Sequence, residues 1–298
     1  MHIVITGGTG FIGSYVVNEL IKNNHKITLL ARNPDKIEIF KSISSINVVK
    51  FDIRNYSKLK QIKKFDALIL VALSWGDTGT DMIKNETLSQ VGLIEIAIKL
   101  GVKKIIFTSS TAALGPISQT VNENTKLSPS DFYGASKGSV ELFINAYSNY
   151  FKDIEFNIIR PGYTFGNPVV KGAPVEPDNR FKKIAKKVKQ NRTVHLIKND
   201  GTQFIWAGDL AKLYDKLLQS NYKNEIFFCL SKNFITWEQI AKWAFEIAGK
   251  KPKIKLKNLN WSKNPPLYSV EKIKNYFGFE FDSTEKIKEH IKYLLSFY

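Results

Sequence analysis

The sequence predicts an α/β fold: a doubly wound parallel sheet with a smaller α+β subdomain toward the C-terminus. Three observations predict it. Short, nearly continuous Val/Ile/Leu runs alternate with amphipathic helical patterns through the first half, the texture of a parallel sheet covered on both faces. A glycine-rich turn, Thr6-Gly7-Gly8-Thr9-Gly10-Phe11-Ile12-Gly13, joins the first such run to the first helix. After Arg160-Pro161-Gly162 the alternation stops, and Asn167-Pro168, Gly172-Ala173-Pro174 and Glu176-Pro177 punctuate a loop-rich stretch.

Strands are expected at 3–6, 26–30, 47–51, 65–72, 104–108 and 155–159, with helices clearest at 15–22, 83–100 and 133–151. Right-handed crossovers then give the doubly wound order. Beyond the loops come a lysine-rich helix, a helix at 209–218 with Asp209 as its cap, and a buried strand around Cys229. In 236–249, Thr236 and Gln239 form a capping box and Gly249 ends the helix. Short helices at 270–277 and 284–296 close the chain. The expected division is a dinucleotide-binding domain of residues 1–165, with 204–230 returning to it, and a substrate-binding subdomain of 166–203 and 231–298.

Composition excludes several classes. Hydrophobic residues make up 43% and aromatics 12%, as in ordinary globular proteins. The longest apolar stretch, 67–73, has strand length, whereas a membrane span needs about 20 residues. The N-terminus runs straight into a strand, so no signal peptide and a cytoplasmic location are expected. The single cysteine, Cys229, reads as a core hydrophobe. His2, His25, His195 and His290 show no ligand spacing, and no metal site is expected. The net charge of +17 invites a nucleic-acid partner, but arginine occurs only at 32, 54, 160, 180 and 192, and arginine is the residue that forks onto phosphates and bases. The cluster Lys182, Lys183, Lys186, Lys187 and Lys189 reads as a solvated helix face, and nucleic acid is not the expected partner.

Gly8-x-Gly10-x-x-Gly13 at a strand-to-helix junction is a dinucleotide fingerprint. Gly8 suits a tight turn, Gly10 close approach of the pyrophosphate, and Gly13 helix–sheet packing. The phosphates would meet Gly7, Gly10 and the amides of Phe11, Ile12 and Gly13 at the positive end of the helix. Cofactor choice is made after the second strand, where Ala31-Arg32-Asn33 offers no carboxylate to a ribose hydroxyl. Arg32, helped by Lys36, suits a 2′-phosphate, so NAD(P) is expected with NADP favoured over NAD. Asp52 and Ile53 are expected at the adenine.

Tyr133 and Lys137 stand four apart on one helix face. The ammonium, with an oxidised nicotinamide, favours the phenolate, so Tyr133 can move a proton as hydride moves at the ring. Thr108-Ser109-Ser110-Thr111 ends the fifth strand, at the sheet edge where ligands bind.

At these residues the chain resembles the extended short-chain dehydrogenases/reductases, the NAD-dependent epimerase/dehydratase family. The likeness runs through Thr6–Gly13, Asp52-Ile53, Gly101-Val102-Lys103-Lys104, Phe107–Ser110, Tyr133-xxx-Lys137, Arg160–Gly166 and Gly201–Leu210. It implies Ser110, Tyr133 and Lys137 as the catalytic triad, and cofactor contacts from Ala72, Leu73, Pro161, Gly162 and Tyr163. It also implies a homodimer packed through the helices at 83–100 and 133–151. Departures stand beside it. Ala31 replaces the acidic residue of many NAD-using epimerases. Thr111-Ala112 replaces the Asp-Glu of dehydratases. Glu86-Thr87-Leu88-Ser89-Gln90 replaces Asn-Val-x-Gly-Thr, and 201–209 lacks an arginine. The implied activity is that of an NAD(P)-dependent oxidoreductase or epimerase acting on a secondary alcohol or carbonyl of a sugar or nucleotide-sugar. The alternatives are an RNA-binding member of the superfamily and an NADP-sensing regulator without turnover. The intact Tyr133/Lys137 pair argues against the RNA-binding reading.

Overall fold

A computed structural model describes residues 1–33, 40, 43–171 and 173–297. Its first half runs β1 (His2–Thr6), α1 (Phe11–Lys22), β2 (Lys26–Ala31), β3 (Ile46–Lys50), β4 (Ala67–Leu70), α2 (Leu88–Lys99), β5 (Lys104–Thr108), α3 (Phe132–Tyr150) and β6 (Glu155–Pro161). Next come β7 (Tyr163–Phe165), α4 (Arg180–Lys189), β8 (Val194–Ile197), β9 (Gly201–Trp206), α5 (Ala207–Gln219) and β10 (Glu225–Cys229). The chain ends with β11 (Phe234–Thr236), α6 (Trp237–Ile247), β12 (Ile254–Lys257), α7 (Glu271–Phe277) and α8 (Thr284–Leu295).

Seven strands form one parallel sheet in the order β10-β6-β5-β4-β1-β2-β3. Side chains alternate between its faces with the two-residue strand period. Ile3 and Ile5 pack with α1 and α5, while Val4, Leu68 and Phe107 pack with α2 and α3. The order reverses between β1 and β4, which opens a crevice at the carboxyl ends of these strands. The doubly wound sheet is the Rossmann arrangement expected from the sequence.

The remaining strands pair separately, as β11-β9-β7 and β12-β8. They surround a third core of Phe165, Phe181, Phe204, Trp237, Phe245 and Ile287. Cys229 is fully buried in β10. Thr236 Oγ1 accepts from Gln239 N–H at 3.1 Å, and Gly249 ends its helix with φ +64°.

Two local expectations need correction. Helix α5 starts two residues early, at Ala207, and Asp209 lies inside its first turn, bound to Lys212 at 2.7 Å instead of capping. Strand β4 pairs only over Ala67–Leu70, because the next two amides, of Val71 and Ala72, turn to Thr6 Oγ1 at 3.1 and 3.2 Å. This bond fastens the end of β4 to the end of β1 and shapes the mouth of the crevice.

Candidate active site

The glycine turn is built from backbone. Gly7, rather than Gly8, takes the left-handed conformation, with φ +72°. A Cβ on Gly7 would lie 2.7 Å from Ala72 N, so a side chain there would strike the end of β4. Gly8 supplies the helix–sheet packing instead, pressed between Leu29 of β2 and Val17 of α1. A Cβ on Gly13 would come within 2.2 Å of the Gly7 carbonyl, so α1 begins directly against the turn. Gly10 caps α1 without a side-chain bond, which leaves the first amides of the helix facing the crevice.

Above this turn lies a cavity of about 490 Å³. Its walls come from Gly7 and Thr9–Gly13, from 30–33 after β2, from Phe51 and Ile53, from 71–74 after β4, and from Ala173 and Pro174. The expected residues Gly7, Gly10, Phe11, Ile12, Gly13, Arg32, Ile53, Ala72 and Leu73 all line it. A close-approach turn, uncapped amides and apolar walls for flat rings are the fittings that a dinucleotide requires.

Asp52 is not a lining residue. Its carboxylate caps a 3₁₀ turn at Arg54 N–H, 3.0 Å, and is forked by the Arg54 guanidinium, with Nη2 to Oδ2 at 2.6 Å. Arg54 therefore holds this carboxyl below the usual range, with a further contribution from Arg32. Of Asp52 and Ile53, only Ile53 lines the cavity. Lys36 lies outside the described residues.

Tyr133 and Lys137 sit on the first turns of α3, whose N-cap Asp131 accepts from Gly134 N–H at 2.6 Å. A Cβ on Gly134 would meet the Ala112 carbonyl at 2.3 Å. This contact sets α3 against the turn that carries Ser110, bringing Ser110 and Tyr133 to one end of the helix. Ser110 Oγ accepts from Ala112 N–H at 3.1 Å and keeps its own hydrogen to donate. The Tyr133 ring stacks on Trp75, centroids 6.1 Å apart. Trp75 is 60% exposed.

Lys137 is buried, its Nζ 2.8 Å from Glu86 Oε1 and 5.0 Å from the Phe107 ring centre. Burial alone would lower this lysine, but the Glu86 carboxylate and the Tyr133 side chain outweigh it and hold Lys137 above its ordinary value. Glu86 also accepts from Ser74 N–H at 2.8 Å, which ties the lysine to the wall of the cavity. Glu86 is the site residue that motif reading missed. Its signal is an acidic residue on the inward face of an otherwise apolar helical pattern.

The end of β6 and the residues that follow it do not present their side chains to the cavity. Arg160 forks onto Glu141, Nη2 to Oε2 at 2.5 Å, and donates to the Glu123 carbonyl. Glu141 also accepts from Ser109. Pro161 is buried, and Gly162 is wedged against Leu230. Tyr163, expected at the cofactor, points into the third core. Its hydroxyl bonds Asp178 at 2.6 Å and Glu176 at 3.2 Å, and its ring packs on Phe204 and Trp237. Burial and these carboxylates push the phenol far above its usual value. Gln203, where an arginine was sought, is spent on Ser231 and Tyr268 backbone groups.

A glycine-turn cavity at the switch point of a parallel sheet, beside a Tyr–Lys helix, defines a nicotinamide-dependent enzyme of the extended short-chain dehydrogenase type. The chain belongs to the NAD dependent epimerase/dehydratase family, whose model matches residues 3–229. A Methanocaldococcus jannaschii protein, provisionally named a UDP-glucose 4-epimerase, is 29% identical over 238 residues, covering 75% of each chain. UDP-glucose 4-epimerase of Mycolicibacterium smegmatis is 29% identical over 184 residues, 56% of this chain and 57% of that one. UDP-glucuronic acid 4-epimerase from Bacillus cereus, solved in complex with NAD, superposes over the whole of both chains with TM-score 0.85 at 20% identity, a likeness of fold. No helix among the described residues is long and apolar enough to cross a membrane.

Proposed function

We propose that the chain moves a hydride between a nicotinamide and a secondary alcohol or carbonyl of a sugar or nucleotide-sugar, with Tyr133 as the proton-transfer group. Ser110 hydrogen-bonds the same substrate oxygen, and Lys137 supports the phenolate. The observation that carries this reading is the link Lys137–Glu86–Ser74, which attaches the Tyr133 helix to the wall of the glycine-turn cavity. The cofactor supplies the hydride. The chain's own residues bind its phosphates at the α1 N-terminus and hold or release the proton at the Tyr133 hydroxyl.

Arg32 on the cavity wall supports NADP over NAD, although the Bacillus cereus relative was solved with NAD. Residues 1–165 with 204–230 form the dinucleotide half in this reading, and 166–203 with 231–298 form the substrate half. Support for an anionic substrate comes from a second cavity of about 780 Å³, rimmed by Lys183, Lys187, Lys255 and Lys257, with Arg180 on its wall paired to Asp200. A homodimer through α2 and α3 is supported by the exposed apolar residues Leu88, Leu142, Phe143 and Tyr150 on those helices.

Mass spectrometry of the purified native protein tests the cycle. Retained NAD indicates an epimerase that keeps its cofactor. An empty protein that binds NADPH above NADH indicates a reductase. Binding of no dinucleotide at all contradicts the proposal.

A further inference from the structure

Ile83–Thr87 forms one turn of π-helix between the helical turn Gly79–Met82 and α2. A π turn inserts a residue into the helical register and re-aims its side chains, often at functional sites. Here it carries Glu86, none of whose surface is exposed. Both oxygens are engaged. Oε1 accepts from Lys137 Nζ at 2.8 Å and from Gln90 Nε2 at 3.1 Å, and Oε2 accepts from Ser74 N–H at 2.8 Å. Gln90 also donates to the Ala72 carbonyl at 2.8 Å. The carboxylate thus joins the lysine of α3 to the 71–74 segment beside the glycine-turn cavity.

Stability does not explain such a pair. Desolvating two charges consumes most of their attraction, and an apolar pair would fill the space as well. We infer that Glu86 sets which redox form of the nicotinamide the site holds: its carboxylate cancels the Lys137 ammonium, so an oxidised, cationic ring lies beside the lysine without repulsion. The inference rests on the reading that places the ring at Tyr133 and Lys137.

Other charges around the pair are already committed. On α3, Asp131 caps Gly134, and Glu141 is held by Arg160 of β6. From α5, the neutral Tyr214 hydroxyl bonds Thr108. Glu86 is therefore the counter-ion of Lys137. The asparagine of the related family pattern would leave the ammonium uncancelled.

Calorimetric titration of oxidised and reduced NAD(P) into the whole protein tests this without a substrate. In Glu86→Gln, affinity for the oxidised form falls about tenfold relative to the reduced form, the effect of one unit charge at roughly 10 Å through an effective permittivity near 20. Lys137→Met shifts the ratio the opposite way. The double variant, again neutral, returns to within about twofold of wild type, since the two charges act on the ring as a sum. A purely structural role for Glu86 would weaken both forms together. Should Glu86→Gln alone fail to fold, the step from Lys137→Met to the double variant reads the same charge. An unmoved ratio overturns the inference while leaving the cofactor reading intact. Wild-type protein that binds neither form defeats both.

Discussion

The glycine turn and the Tyr133–Lys137 helix stand side by side but are made differently. The turn is backbone: Gly7 and Gly13 leave space that no side chain can occupy, Gly10 leaves it only tightly, and all lie within one short segment. That helix depends on side chains from distant segments: Lys137 on Glu86 and Phe107, and Tyr133 on Trp75. Local steric demands leave a pattern in the sequence. A buried charge pair 51 residues apart leaves only a single charged residue on an inward helix face, with nothing in the sequence to say which partner it takes.

Substitutions can break each region separately. The largest effect is expected at Tyr133→Phe, which removes the proposed proton donor. Turnover should fall about 10³-fold, within the range for general acid–base catalysis, while cofactor affinity changes little. A near-wild-type rate would show that another group moves the proton. Gly13→Val drives a side chain into the Gly7 carbonyl and closes the phosphate cradle. Calorimetry should then show dinucleotide affinity reduced at least about 100-fold, well beyond the loss of one hydrogen bond. Retained binding would show that phosphates sit elsewhere. For Arg32→Ala, NADPH affinity should drop about tenfold, the loss of one charge-assisted phosphate contact, with NADH nearly unaffected. Equal losses for both would remove the basis for preferring NADP.

A smaller effect sharpens the contrast away from the site. Burial lowers His290 from 6.5 to about 3, in a nest of Phe165, Phe181 and Tyr293 with Nδ1 2.8 Å from Asn167 Oδ1. The unfolded chain accepts a proton that the folded one refuses. This contribution is therefore whole above pH 6.5 and declines as pH falls from 6.5 toward about 3, at about 1.4 kcal/mol per unit. Urea unfolding at stepped pH should show a flatter acid slope for His290→Phe. The same slope in both proteins would contradict the assignment.

These differences explain what the sequence disclosed. All six early strands were legible because each contains a run of β-branched and aliphatic residues, buried on both faces in β1, β4 and β5 and half-buried in the edge strand β3. The five strands β7, β8, β9, β11 and β12 were not, since their residues mix polar and apolar types and they pair in two small separate sheets. Tyr133 and Lys137 were legible through their four-residue spacing. The roles expected of Asp52 and Tyr163 were not settled by position, because Arg54 takes one carboxylate and Asp178 with Glu176 takes the phenol. Spacing shows where a side chain starts; its partners decide where it ends.

The most direct test is a crystal structure of the protein with bound NADP. The pyrophosphate should lie on the amides of Phe11–Gly13, with the nicotinamide beside Tyr133 and Lys137. A ring bound away from that helix, or phosphates away from the glycine turn, would contradict the account.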